Sequence, residues 1–197
     1  MRSEIEDKQL AYLYSSIGDI QSTVRAVDTK LGLLMVFLAL PVTSLGTIYE
    51  VLITLLKIHD SYVWKTSVIV YLIIFFGVWA VSFLTAFKAL TSIHNPAAHI
   101  KSLPDACGTY FCGGLFKFSF KDIVLNRKRI KSRDSFQEIF ERQPNDFEKL
   151  QTELVFEQMK LAYIRDIKIF RQNWAFAFAL KWLLLGFIGQ TIYLFCK

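Results

Sequence analysis

Residues 66–87 read TSVIVYLIIFFGVWAVSFLTAF, twenty-two positions without a charge. As an α-helix this stretch is about 33 Å long, a little more than the hydrocarbon layer of a bilayer. Trp64 and Lys65 precede it and Lys88 follows it, an aromatic and basic boundary of the kind found at membrane interfaces. Two more runs have the same character. Leu31 to Tyr49 is nineteen residues without a charge, interrupted only by Pro41. Trp174 to Cys196 is a third apolar run, broken by Lys181 and followed by Lys197. The chain is therefore expected to be an all-α membrane protein with about three transmembrane helices and cytoplasmic helical extensions.

Composition agrees with this reading. Of 197 residues, 53% are hydrophobic and only 20% charged, whereas soluble domains sit near one quarter charged. The first run is not expected to be a cleaved signal. Thirty residues precede it, and they mix five acids with four bases rather than presenting a short positive leader.

Basic residues near the span ends set the orientation. Arg25 and Lys30 stand before the first run, and Lys160, Arg165, Lys168 and Arg171 before the third. The connection between the first two spans carries only Lys57 and Lys65. The N-terminus and the central region are thus expected in the cytoplasm, with the hairpin loop and the C-terminus outside. The chain divides as 1–30, a cytoplasmic amphipathic helix; 31–90, a transmembrane hairpin; 91–172, a cytoplasmic region; and 173–197, the third transmembrane helix.

Within the first part Leu10, Leu13, Ile17, Ile20, Val24, Val27 and Leu31 recur at alternating steps of three and four. This is the seam of a helix lying along a partner helix, and the partner is either within the chain or a second copy. In the central region Phe116, Phe118 and Phe120 alternate with Lys117 and Ser119, a strand-like or interfacial segment. Ser135-x-x-Glu138 and Asn145-x-x-Glu148 read as capping boxes. The first opens a short helix over Phe136–Arg142, ended by Pro144. The second opens a long one from Asp146 into the third span, with an apolar seam at Phe147, Leu150, Leu154, Leu161 and Ile164.

No phosphate-binding glycine loop, zinc-protease helix motif or nucleophile elbow is present, so the chain is not expected to be an enzyme or to carry a cofactor. Cys107, Cys112 and Cys196 make neither a disulfide framework nor a metal site. His59, His94 and His99 are read as loop residues.

Two features stand apart. Arg127-Lys128-Arg129-Ile130-Lys131-Ser132-Arg133 holds five bases in seven residues. It suits a solvated surface or anionic headgroups, or a small nucleotide whose phosphate the bases would close on beside Phe116 and Phe118. It is too short and narrow a patch to suit a long nucleic acid. Lys181 lies seven residues inside the third run. It either snorkels to the cytoplasmic interface or faces a bundle interior or water path, with Gln190 further along the same helix.

The stretch Val24-Arg25-Ala26-Val27-Asp28-Thr29-Lys30-Leu31 resembles the start of the first span in the small membrane effectors of bacterial pyrimidine-cyclase anti-phage (Pycsar) systems. Leu115-Phe116-Lys117-Phe118, Asp122-Ile123 and Ser135-Phe136-Gln137-Glu138 resemble their central segment. Leu154-x-x-Glu157-Gln158-Met159, then Lys168 and Phe170-Arg171, resembles their closing helix. The resemblance implies a bacterial inner-membrane protein that oligomerises and compromises the membrane when a cyclic pyrimidine mononucleotide binds its cytoplasmic region, stopping the infected cell. It implies that Asp28 and Lys30 fix the cytoplasmic mouth, with Phe116, Phe118, Arg127, Lys128 and Arg129 as ligand contacts. The sequence departs from the pattern in the Gly- and Cys-rich tract from Gly108 to Gly114 and in a short Gln158–Lys168 spacing. Two other functions fit the same residues: a membrane-anchored sensor or adaptor recruiting a soluble partner protein, and a small constitutive channel subunit.

Overall fold

The computed structural model describes residues 4–58, 60–91, 93, 95–101 and 132–196. Their helices are α1 (Glu4–Thr43), α2 (Leu45–Ile58), α3 (Tyr62–Leu90), a 3-10 turn at Pro96–His99, α4 (Phe136–Glu141) and α5 (Phe147–Cys196). Three of them, α1, α3 and α5, are long and apolar enough to cross a membrane, so the fold is an all-α membrane protein. Two compact units emerge. The first is drawn from Met1–Ser22 and Asn95–Ile164, the second from Thr23–His94 and Arg165–Lys197.

The second is the membrane unit. Leu31 and Leu38 of α1, Ala86 and Ala89 of α3, and Ala175, Ala179 and Trp182 of α5 form its core, with Leu31, Leu38, Ala86, Ala89 and Ala175 fully inaccessible. Small residues are prominent there because hydrocarbon gives no hydrophobic drive between helices, so close backbone approach and dispersion hold them together. The same stripe continues along α5 through Gly186 and Gly189, where an added Cβ would meet Phe75 and Tyr71 of α3. Three side chains cross-link the helices through backbone carbonyls. Tyr71 donates to the Leu185 carbonyl at 2.5 Å, Ser82 to that of Ala175 at 2.8 Å, and the Trp79 indole to that of Leu38 at 2.8 Å. The first two pairs run in opposite order, so α3 and α5 are antiparallel.

The first apolar run differs from expectation. It is not one span over Leu31–Tyr49 but two helices meeting at Ser44, and the second continues past Glu50 to Ile58. Pro41 has no N–H to give the Phe37 carbonyl, and its ring crowds that turn. The Ser44 N–H is then shared between the Leu40 and Pro41 carbonyls, at 3.1 and 3.3 Å, and the helix restarts. Past α2, Asp60 pairs with Lys65 at 2.6 Å, and that ammonium holds the Asp60 carboxyl below its ordinary value.

In the first unit Leu10, Leu13 and Ile17 of α1 pack on Leu154 of α5, with Phe147, Leu150 and Leu161 around them. The α1 seam is thus used inside the chain: Leu10, Leu13, Ile17, Ile20, Val27 and Leu31 are all buried. The Ser135 box forms as expected, with Glu138 accepting from the Ser135 N–H at 2.7 Å. The expected box at Asn145 does not cap α5. Asp146 takes the position and accepts from the Lys149 N–H at 2.8 Å.

Candidate functional site

Where α1, α3 and α5 reach the basic edge of the membrane unit, a polar collar forms. Lys168 of α5 donates to Asp28 of α1 at 2.5 Å, the ammonium side chain 9% exposed and the carboxylate 38%. One turn on, the Arg171 guanidinium donates to the Lys88 carbonyl at 2.7 Å, joining the Thr91 hydroxyl, which donates to the same carbonyl at 3.0 Å in the last turn of α3. Gln172 follows, with its carbonyl oxygen buried and without a partner among the described residues. Lys30 and Lys88 are exposed. Within this group one carboxylate, Asp28, stands against four cations, so the collar is electropositive. Asp28 and Lys30, expected at one mouth, part ways here: Asp28 is held by Lys168, and Lys30 is open to solvent or headgroups.

Beyond the collar α5 carries an outward ladder. Phe170, Trp174 and Phe178 follow one another at centroid separations of 6.3 and 5.8 Å, and the Lys181 ammonium lies 5.2 Å from the Phe178 ring. Lys181 is exposed on the outside of the bundle. On insertion scales a lysine at the centre of a span costs about 2.5–3.5 kcal/mol, and an aromatic face returns a part of that. Gln190 does not share its side of the helix. Nine residues at 100° each bring it round to the opposite flank, where it borders an open apolar cavity with Ser44, Tyr71 and Phe75. The expected pairing of Lys181 with Gln190 along one path is therefore corrected.

The first unit holds a second polar group that the sequence signals only through a motif. Glu153 and Glu157 of α5 are buried, at 6% and 2% exposure. Glu157 is ion-paired with Lys160, whose ammonium also lies 4.5 Å from the Phe156 ring. Gln158 donates to Ser16 at 2.7 Å, tying α5 to α1, and His99 stacks on Tyr163 at 4.4 Å. Charges this deep persist only when paired and hydrogen-bonded. Phe116, Phe118, Arg127, Lys128 and Arg129 lie outside the described residues, as do Cys107 and Cys112. Among the described residues no cluster of His, Cys, Asp or Glu is able to hold a metal ion.

No family model, curated protein or solved structure matches this chain. The chemistry of the collar, the ladder and the buried pairs is what bears on its function.

Proposed function

We propose that this chain is a bacterial inner-membrane effector of the Pycsar type, with its N-terminus in the cytoplasm. In this reading a cyclic pyrimidine mononucleotide binds the cytoplasmic unit, and the membrane unit, assembled as a homo-oligomer in lipid, then compromises the membrane and halts the infected cell. The observation that carries it is that α1 and α5 each supply residues to both units as continuous helices. A binding event in the cytoplasmic unit therefore acts on the same two helices that build the spans. The residues quoted for the resemblance support the reading further, since Asp28 and Lys168, 140 positions apart, meet at 2.5 Å.

Phe116, Phe118, Arg127, Lys128 and Arg129 are the proposed ligand contacts. The bases would close on the phosphate by charge-assisted hydrogen bonds and the rings would stack on the pyrimidine. The test is expression in bacterial cells with and without a co-expressed pyrimidine cyclase, following membrane potential with a voltage-sensitive dye. Depolarisation only with the cyclase, abolished by the triple change Arg127→Ala, Lys128→Ala, Arg129→Ala with membrane insertion intact, supports the reading. Depolarisation without any cyclase points to a constitutive channel subunit instead.

An adaptor reading has one observation in its favour. Phe136 and Phe140 of α4 stack on each other while 81% and 60% exposed, an apolar pair that water solvates poorly. Loss of the response in Phe136→Ser, Phe140→Ser, with nucleotide binding retained, would move the reading toward a recruited soluble partner.

A further inference from the structure

Lys181 lies ten residues beyond Arg171, about 15 Å along α5 from the collar. The hydrogen bonds from Tyr71 to Leu185 and from Ser82 to Ala175 bracket its level, and Tyr71 to Ser82 is the middle of the charge-free run of α3. A lysine side chain is too short to bring its ammonium from there to the collar. It leans back over Phe178 instead and stays exposed on the outside of the bundle. Among the described residues no carboxylate pairs with it. A single copy in lipid would therefore hold a cation against hydrocarbon at mid-depth, which is costly and marks functional positions in membrane proteins.

The surroundings of Lys181 on α5 say what relieves this. Trp174, Ile188 and Ile192 lie on the same side of the helix within one quarter turn, and all three are exposed. The packing face toward α3, with Ala175, Ala179 and Gly186, lies a third of a turn or more away. The Lys181 side is thus a stripe apart from the bundle core, with one charge at its centre and apolar residues along the rest. Copies that met directly on it would oppose like charges in a low dielectric. Copies that met beside it, through exposed Leu184, would leave the ammonium groups facing water.

We propose that the Lys181 stripe of several copies of this chain lines a water-filled path, and that Lys181 forms a ring at mid-membrane selecting small inorganic anions. Rings of lysine or arginine select anions because their positive charge attracts an anion at the constriction and repels a cation. The inference rests on the oligomeric part of the proposed function and is independent of which ligand, if any, opens the path.

Cysteine accessibility tests it in the full-length protein reconstituted in liposomes of phosphatidylethanolamine and phosphatidylglycerol, with native cysteines replaced by serine. Thiols react as thiolates, so a cysteine in lipid is silent to a water-soluble thiosulfonate and one in a water path is not. Lys181→Cys and Ile188→Cys are expected to react about tenfold faster than Leu183→Cys, which lies on the other side of α5. In chloride-influx measurements with cyclic CMP or cyclic UMP, Lys181→Arg keeps the parent's preference for chloride over potassium, and Lys181→Glu inverts it. A Lys181→Cys variant as silent as Leu183→Cys in every condition, or a chloride preference unchanged in Lys181→Glu, overturns the inference. A reactive Lys181→Cys variant without nucleotide-dependent flux supports the water path and sinks the ligand part of the proposed function.

Discussion

Gly186 and Gly189 sit one turn apart on the same face of α5, yet alanine should have opposite effects at the two. At Gly186 a new Cβ would lie 3.6 Å from the Phe75 ring, an ordinary contact. Alanine there gains helix propensity, up to about 1 kcal/mol by measurements in water, and disturbs nothing. At Gly189 the new Cβ would overlap the Tyr71 hydroxyl and press on its ring carbon Cζ at 3.0 Å. Overpacking of this kind costs about 1–3 kcal/mol. If the ring withdraws instead, it gives up its hydrogen bond to Leu185, worth about 0.5–1.5 kcal/mol. Both variants share the propensity gain, so Gly189→Ala should fall below Gly186→Ala by about 2 kcal/mol, near 4–8 °C in apparent melting temperature for a chain of this size. Detergent-solubilised protein heated stepwise and followed by size-exclusion fluorescence reads this difference. Tyr71→Phe supplies the second half of the test, because without the hydroxyl the worst overlap disappears and the gap between the two alanines should narrow by about half. Equal melting temperatures for the two alanine variants would refute the close packing of α3 on α5. A gap that Tyr71→Phe leaves unchanged would assign it to something other than that hydroxyl.

Three further outcomes follow from the same structure. Asp28→Ala leaves the buried Lys168 ammonium uncompensated and should cost about 1–3 kcal/mol, less than a fully buried pair because Asp28 is 38% exposed. Adding Lys168→Met should recover most of the loss, and a double variant as unstable as the single one would mean that the pair is not coupled. The Ser135 N–H holds the Glu138 carboxyl below its ordinary value of 4.5, so the cap strengthens α4 above that pH and is lost as pH falls through the lowered value. Hydrogen exchange over 136–141 should therefore accelerate in acid, and Ser135→Ala, whose own exchange is already fast, should flatten that dependence. A phosphatase reporter fused after Lys197 should be active only outside the cytoplasm, and cytoplasmic reporter activity there would contradict three crossings.

Much of the fold is legible in the sequence because charge is so costly in hydrocarbon. Residues 66–87 admit almost no other reading, and the three-four seam of Leu10 to Leu31 is a local pattern that one partner helix completes. What stays hidden has a common cause: it depends on partners far apart in sequence. Nothing near Asp28 announces Lys168, and the seam alone does not say that its partner is α5 rather than another copy. The break at Ser44 is half visible, since Pro41 stands in the run, but whether a proline bends a span or divides it depends on how the neighbouring carbonyls are satisfied. The separation of Lys181 from Gln190 is readable from their spacing of nine, a half-turn count that the shared polarity of the two residues obscures. Glu157 belongs to a motif, yet nothing in that motif announces its burial beside Lys160, because polarity predicts exposure wherever a pairing partner is not yet known.

The three cross-links of the membrane unit share an asymmetry. In each, the donor is a side chain, Tyr71, Trp79 or Ser82, and the acceptor is a main-chain carbonyl, at Leu185, Leu38 or Ala175. Every amino acid carries that carbonyl, so the bond itself asks nothing of the accepting side chain, whereas it fixes the donating one. Substitutions on the two sides of such a bond have no chemical reason to compensate one another. These helix–helix ties would therefore leave no paired signature across related sequences, and a contact map inferred from correlated change would miss them.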